Sequence, residues 1–383
     1  MPSYALLITL SILLALAPVV SSLVTLKGNI IYLILSFIGI SLLFLRRKPI
    51  TIQANEVYLS LIVIFLSFMF GLYWTEAKLS FLGLYFVVAL ICLSQTTFAD
   101  RLYMVETLSN ILLMIVVFSC LGFIYALLGG EPLFNITNPD GRTSFLYLTT
   151  FTNFTIGNII RPSGIFDEPG ALSFVICATC YCREVLCLDK KKTWLLLLLG
   201  LITLSLAHIL FIIIYFVAFK ARLYKKLIII ALGLVTIFLL IIMLWDNPYF
   251  QAVFISRFEL TNGKLAGDNR SELFYNAILL TQKMHYLYGL DSDCLLYPMY
   301  CIENYGKFGE NPLYPFVTLG LLSLPYYAVL TLLSIKVLFS KRRRISIIHL
   351  GMIVLLLQRP YVMIYGYASL ILLCLYVNKR EKA

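Results

Sequence analysis

Charge is scarce in this sequence, and histidine scarcer still. Only 13% of its 383 residues are Asp, Glu, Lys or Arg, and there are 3 histidines. No Walker A loop, zinc motif or dinucleotide fingerprint occurs. The usual signatures of nucleotide-driven or zinc-dependent enzymes are therefore missing, and neither a metal nor a cofactor is expected. Long polar stretches are also lacking on one side of the apolar segments, where no loop could hold a nucleotide-dependent domain. There is no internal repeat and no low-complexity tract. Met1-Pro2-Ser3 leads straight into an apolar run, without a basic n-region or a small-residue cleavage site. The first helix is expected to be retained rather than cleaved.

What is present is apolar. Hydrophobic residues make up 61% of the chain, and the mean hydropathy is +0.93. Apolar segments of about 20 residues recur along the whole length, as in a protein that crosses a membrane many times. The expected class is an all-α polytopic membrane protein, residues 1–383 forming a single integral membrane domain. The net charge of +11 is not a nucleic-acid footprint. The bases lie in short runs between apolar segments, where they set orientation.

Spans are expected at 4–24, 29–45, 57–73, 79–95, 109–128, 169–188, 227–245 and 313–338, with longer apolar stretches at 193–219 and 345–377. Basic runs fall at Arg46 to Lys48, Lys190 to Lys192, Lys220 to Lys226, Lys341 to Arg344 and Lys379 to Lys382. If all are cytoplasmic, both termini are inside. Stretch 193–219 has basic runs at both ends, so it crosses an even number of times. At 1.5 Å per residue it is roughly 40 Å long, and a tight pair of short helices turning near Ser205–His208 fits best. Arg359-Pro360 divides 345–377 in the same way. The total is about 12 segments. This topology puts two thirds of the 30 Lys and Arg residues inside and two thirds of the 19 Asp and Glu residues outside, as the positive-inside rule requires.

Two long loops, about 129–168 and 246–312, then face outward. In the second, Leu273, Ala277, Leu280, Met284 and Leu287 recur at helical spacing, which predicts an amphipathic helix on or near the membrane. Cys177, Cys180, Cys182 and Cys187 crowd one span and are expected to be buried apolar thiols. Cys294 and Cys301 are the two cysteines of the outer loops. An oxidising compartment would let them pair, but spacing alone does not decide it.

The outer loops also hold the candidate chemistry. Arg161-Pro162-Ser163-Gly164-Ile165-Phe166-Asp167-Glu168-Pro169-Gly170 is the densest polar cluster in the first half of the chain, and a hydrophobic segment opens directly behind it. Arg257 and Arg270 lie in the second loop, and Arg359 sits between two apolar half-segments, where a charge is costly and is usually paired or functional. Arginine forks match phosphate oxygens. A carboxylate of Asp167 or Glu168 could accept a proton from a sugar hydroxyl. Plainer readings exist. Asp167 and Glu168 would cap the following helix, with Pro169 suited to its first turn. Arg161 would pair with its neighbouring carboxylates, and Arg359 would snorkel to headgroups. His208 and His285 are alternative bases, each more often a structural hydrogen-bonder.

The stretch Arg161 to Gly170 resembles the R-x-x-G-I-F-x-E-P-G stretch of the Wzy-type O-antigen and capsular polysaccharide repeat-unit polymerases. Gly267-Asp268-Asn269-Arg270 with Tyr288-Gly289-Leu290-Asp291, and Glu310-Asn311-Pro312 with Leu319-Gly320-Leu321-Leu322, resemble that family's second large periplasmic loop and the start of the next span. The resemblance implies a metal-independent, GT-C-like glycosyltransferase of the bacterial inner membrane. Such an enzyme joins undecaprenyl-pyrophosphate-linked oligosaccharide repeat units at the periplasmic face. It implies pyrophosphate contacts for Arg161, Arg257, Arg270 and Arg359, and a base at Glu168 supported by Asp167. Its partners are lipid-linked glycans, membrane lipid and a polysaccharide chain-length regulator. O-antigen ligases share the layout but typically carry a His before the Asn of the last loop, where this chain has Glu310. A flippase for the same lipids is a third class, against which the missing repeat and the surface position of the charges both argue.

Overall fold

Runs of Leu, Ile, Val and Phe with few Gly or Pro interruptions favour helix, and helices dominate the computed structural model. It describes residues 2–23, 38, 57–65, 77–138, 142–218, 251, 260–261, 264–265, 269–287, 289–290, 298–309, 311–340, 342–361 and 365–377. The expected segments 227–245 and, but for residue 38, 29–45 lie outside the described residues, as does part of 57–73. The first two helices are α1 (Pro2–Leu16) and α2 (Pro18–Leu23). Next come α3 (Ala77–Ser94) and α4 (Phe98–Leu127). After the first long loop follow α5 (Pro169–Val185), α6 (Lys190–Leu199) and α7 (Leu206–Ala218). The second loop contributes α8 (Asn269–Thr281) and α9 (Pro298–Tyr305). Then come α10 (Tyr314–Leu319), α11 (Leu324–Phe339), α12 (Arg343–Gln358) and α13 (Tyr365–Tyr376).

Helix α5 is the centre. Nearly every residue from Ala171 to Glu184 is buried, as expected of a helix surrounded on all sides. It packs against α4, α6, α7, α12 and α13. Helix α13 also packs on α1 and α3, and α12 on α7 and α11. Cys177, Cys180 and Cys182 are buried within α5, as expected, but Cys187 lies beyond its end and is exposed.

Side-chain pairs fix how the helices align. Near the end of α5, Arg183 is fully buried. Its guanidinium donates to Ser109 of α4 at 3.0 Å, to Thr193 of α6 at 3.0 Å and to the Asp189 carbonyl at 3.0 Å, and pairs with Glu106 at 3.2 Å. Lys192 meets the same Glu106 at 2.9 Å. Glu184 pairs with Arg344, at the start of α12, and accepts from Tyr215, near the end of α7, at 2.9 Å. Asp189 caps α6, and the backbone amide of Lys191 holds its carboxyl below the usual range. At the opposite end of the bundle, the start of α5 lies beside the start of α13, with Phe174 and Tyr367 centroids 5.4 Å apart. These contacts collect Lys192, Arg183 and Arg344 at one end of the bundle.

The expected pair of short helices across 193–219 is observed. The turn is the 3₁₀ segment Gly200–Thr203 with Leu204 at φ +49°, a few residues before the expected Ser205–His208. The break at Arg359-Pro360 is observed between α12 and α13. Helix α4 begins at Phe98 rather than near 109. Its first turn is secured by a reciprocal Thr97–Asp100 capping box, a signal the hydropathy reading passed over.

Two expectations need correction. First, the chain is not purely α, because loop 129–168 carries strands. It contains an antiparallel sheet of β1 (Phe134–Thr137), β2 (Thr143–Tyr147) and β3 (Thr150–Thr152), then a ribbon of β4 (Thr155–Ile156) and β5 (Ile159–Ile160). A further small ribbon pairs β6 (Leu260–Thr261) with β7 (Lys264–Leu265). Thr, Ile, Phe and Tyr favour pleated surfaces, and Asn138-Pro139-Asp140-Gly141 separates the first two strands as a turn signal does. Second, helix α8 ends at Thr281, so Leu287 lies beyond it and is exposed. Ala277 and Leu280 of the helix, with Met284 just past its end, are buried against Cys301, Phe308 and Val317 of the protein itself. Cys301 is disulfide-bonded; Cys294 lies outside the described residues.

Among the described residues, Phe98–Leu127 and Tyr314–Phe339 are long and apolar enough to cross a membrane. Tyr4–Leu16, Leu206–Ala218 and Gly366–Tyr376 are apolar but shorter.

The Arg183 network predicts a specific stability loss. Arg183→Leu leaves Glu106 with Lys192 alone and strips partners from Ser109 and Thr193. Breaking such a buried arrangement costs about 3–5 kcal/mol, whereas Lys192→Ala, on the half-exposed side, costs under about 1 kcal/mol. Thermal unfolding of the purified protein in detergent ranks the two variants.

Candidate functional site

The site is built where α5 begins. Strand β3 pins the incoming chain: Phe151 N–H donates to Gly164 O at 2.9 Å and Ser163 N–H donates to Phe151 O at 2.8 Å. The Thr150 hydroxyl accepts from Gly164 N–H at 3.0 Å. Gly164 has φ +63°, and a Cβ there would lie 2.7 Å from Ile115 of α4, so both conformation and space demand glycine. From this anchor the chain runs through Asp167 and Glu168 into the helix, with Pro169 in its first turn.

Glu168 occupies the N-cap position in extended conformation, yet its side chain makes no capping bond. The carboxylate turns aside instead. Oε2 accepts from Arg142 Nη1 at 2.8 Å, and Oε1 pairs with Arg359 Nη2. Asp167 lies 3.6 Å from the other Arg142 nitrogen. The capping reading therefore fails for the Glu168 side chain, whose backbone carbonyl receives the first helical bond from Ala171 at 3.0 Å.

Arg359 comes from the opposite direction. It ends α12, which Pro360 prevents from continuing, and it is 6% exposed. Its Nη1 donates to the Tyr367 hydroxyl of α13 at 3.0 Å. The expectation that a charge between apolar halves is paired thus holds, and the snorkelling alternative does not. A Cβ on Gly170 would lie 2.7 Å from Arg359 Nη2. The Pro-Gly of the motif therefore makes room for the arginine.

The structure brings together Asp167, Glu168 and Arg359 from the sequence candidates, and adds Arg142 and Tyr367. Arg142 stands on the β1–β2 hairpin, a feature visible only once the loop is read as strands. Arg161 lies on the same loop, but its fork points to another element. Nε donates to Thr203 O at 3.0 Å and Nη2 to Leu204 O at 3.3 Å, while the guanidinium lies 5.3 Å from the Phe154 ring centre. It ties the first loop to the α6–α7 turn. Arg257 and the side chain of Arg270 lie outside the described residues, as does Glu310. Asn311 is a structural keystone, its Oδ1 accepting from Leu313 N–H at 2.9 Å while Nδ2 donates to Phe308 O. His208 is fully buried, with Nε2 2.8 Å from Leu197 O and Nδ1 3.3 Å from the Cys177 sulfur, so it serves packing. His285 is exposed in a turn, its Nδ1 accepting from Leu287 N–H at 3.4 Å. Among the described residues, no cluster of three His, Cys, Asp or Glu is arranged to hold a metal ion.

The arrangement suits an anion. Two guanidiniums flank a carboxylate at the N-terminal end of a 17-residue helix, where the dipole also favours negative charge. A phosphate arriving there competes with Glu168 for planar donors that fit its oxygens. Comparison with protein-family models, curated proteins and solved structures found no match.

The two ion pairs of Glu168 differ in burial, and this yields a prediction. Arg359 and Glu168 side chains are 8% and 15% exposed, whereas Arg142 is 47% exposed. Arg359→Ala should cost about 3–5 kcal/mol of stability and Arg142→Ala under about 1 kcal/mol. A double-mutant cycle with Glu168→Gln, read by thermal unfolding, would show coupling to Arg359 only. Equal coupling to both arginines would contradict the description of the pair as buried.

Proposed function

We propose that the chain is a glycosyltransferase of the bacterial inner membrane that polymerises undecaprenyl-pyrophosphate-linked oligosaccharide repeat units at the periplasmic face. The observation that carries this reading is the buried Arg359–Glu168 pair, joined by Arg142, at the end of the bundle opposite Lys192 and Arg344. The two-ended distribution supports the topology of about 12 segments with cytoplasmic termini, because Lys192 and Arg344 gather at one end and the candidate site forms at the other. The paired helices at 190–218 and the break at Arg359 support the even crossings that this topology needs.

The chemistry follows from charge. In the ligand-free protein Glu168 holds the arginines in place. A donor's pyrophosphate draws Arg359 and Arg142 toward its own oxygens. That frees the Glu168 carboxylate, supported by Asp167, to take the proton of the acceptor sugar's hydroxyl. The acceptor oxygen bonds to the donor's anomeric carbon as the bond from that carbon to the phosphate oxygen breaks. Undecaprenyl pyrophosphate leaves, its charge met by the arginines. Arg161 supports the loop through the α6–α7 turn, while Arg257 and Arg270 of the second loop are assigned to pyrophosphate with Arg359. A chain-length regulator is the expected protein partner.

The test is the surface polysaccharide of a strain lacking this protein, complemented with wild type, Arg359→Ala or Glu168→Gln and separated by gel electrophoresis. A polymerase null shows core plus a single repeat. Wild type restores the ladder, and each variant lowers polymer at least about tenfold, equivalent to about 1.4 kcal/mol in the barrier. Bare core with accumulated lipid-linked polymer would indicate a ligase instead. Bare core with repeat units trapped inside would indicate a flippase, and a normal ladder in the null would sink all three readings.

A further inference from the structure

Helix α8 is apolar on two opposite sides, and the protein covers one of them. Ala277 and Leu280, with Met284 just past the helix end, face inward. Phe274, Tyr275, Ile278 and Leu279 fall on the other side, at the spacing that sets residues on one helix face, and are 41–61% exposed. The turn that follows adds Tyr286 and Leu287, 67% and 49% exposed. Bared apolar surface on this scale marks a contact site. Polar Ser271 and Glu272 precede the apolar turns of the helix, and Gln282 and Lys283 follow them, all exposed.

The turn is fastened to a membrane span. Leu290 N–H donates to Val317 O at 2.8 Å, and Leu321 N–H donates to Leu287 O at 3.0 Å. Gly289 has φ +87°, and a Cβ there would lie 2.4 Å from the Thr318 carbonyl. The two backbones approach this closely because the residue is glycine. Val317 and Leu321 belong to Tyr314–Phe339, which is long and apolar enough to cross a membrane. They stand about 5 and 10 Å along it at 1.5 Å per residue. A helix lying in the interface sinks its apolar face by a similar depth, about 5–10 Å. The span bares an apolar stripe of its own, Leu324, Leu332, Ile335 and Phe339, which starts one turn beyond Leu321.

We infer that α8 and the turn after it form a lipid seat, whose outer side lies in the boundary between headgroups and acyl chains. Phe274, Ile278, Leu279 and Leu287 meet the acyl chains. Tyr275 and Tyr286 place their rings beside them and their hydroxyls among the headgroups, as tyrosines of an interfacial belt do. This goes beyond the proposed function and stands apart from it, since it needs the span and not the reaction. Lipid is the occupant because the patch is bonded to the span at interfacial depth and leads into the span's own bared stripe. The periodic stripe singled out in the sequence is the face that holds protein, and the lipid face is its opposite. Tyr314, where the span begins, lies 6.0 Å ring to ring from Tyr361 at the α12–α13 break. The seat therefore belongs to the leaflet nearest the candidate site, and it holds the second loop down beside that site.

The test uses the full-length protein in phospholipid nanodiscs and a photoreactive side chain. The variants are Tyr275→p-benzoylphenylalanine and Tyr286→p-benzoylphenylalanine, with Glu272→p-benzoylphenylalanine as the aqueous reference. All three positions are exposed, so no buried contact is lost. After irradiation, mass spectrometry of the peptides identifies what each probe has bonded. Both tyrosine positions should carry phospholipid adducts severalfold more often than the Glu272 position. Adducts to a second copy of the chain would make the face a subunit interface and overturn the seat. Adducts to another part of the same chain would overturn it too, by showing the face covered from within. Lipid adducts no more frequent at the tyrosines than at Glu272 would place the face in water. A lipid adduct at one tyrosine but not the other would refute a seat that spans helix and turn.

Discussion

A carboxylate and a guanidinium face each other where α5 begins and α12 ends, both largely withdrawn from water. Moving either alone into such surroundings costs several kcal/mol. Together they are tolerable only if the geometry is held, and much of the surrounding structure holds it. Strand β3 fixes the chain before Glu168, and Gly164 allows that chain to lie on α4. Gly170 leaves space for the guanidinium, Tyr367 takes one of its nitrogens, and Pro360 stops the helix at the residue that must turn inward. The pair is thus less a source of stability than the condition that these elements satisfy jointly.

The far end of the bundle follows a different logic. Arg183 is more deeply buried than Arg359, but it is surrounded by a hydroxyl from each of two neighbouring helices, a backbone carbonyl and Glu106. A guanidinium so fully bonded is committed to structure. Arg359 and Arg142 meet at Glu168, with Tyr367 beside the one and Asp167 beside the other, and on the proposed function an incoming anion competes for both. The contrast separates the arginine that builds the fold from those that can act in it.

Much of this was legible in the chain. Basic runs on both sides of 193–219 demanded a hairpin, and Arg359-Pro360 demanded a break, because charge placement and backbone chemistry act locally. Glu168 and Arg359 stood out as charges beside apolar segments, although their pairing, across 191 positions of sequence, was not readable. Arg142 was missed because its hairpin lacks the long period of a helix and looked like loop. Arg161 was read as a partner of its neighbouring carboxylates or of phosphate, whereas its fork reaches the backbone carbonyls of Thr203 and Leu204. A carbonyl carries no residue identity, so no sequence pattern could have named them. The start of α4 was misjudged because hydropathy weighs composition, whereas Thr97 and Asp100 set the helix end by hydrogen bonding.

The position of Arg359 late in the chain has a consequence for biosynthesis. Ribosomes deliver Glu168 and Arg142 long before Arg359 exists. On the proposed topology, the carboxylate already waits at the outer surface when the last apolar hairpin enters the bilayer with an arginine at its bend. The cost of carrying that cation across is met by a counter-charge assembled beforehand. Insertion of the final two helices is then coupled to correct folding of the first loop, and a fault in that loop leaves the chain's last hairpin without its anchor.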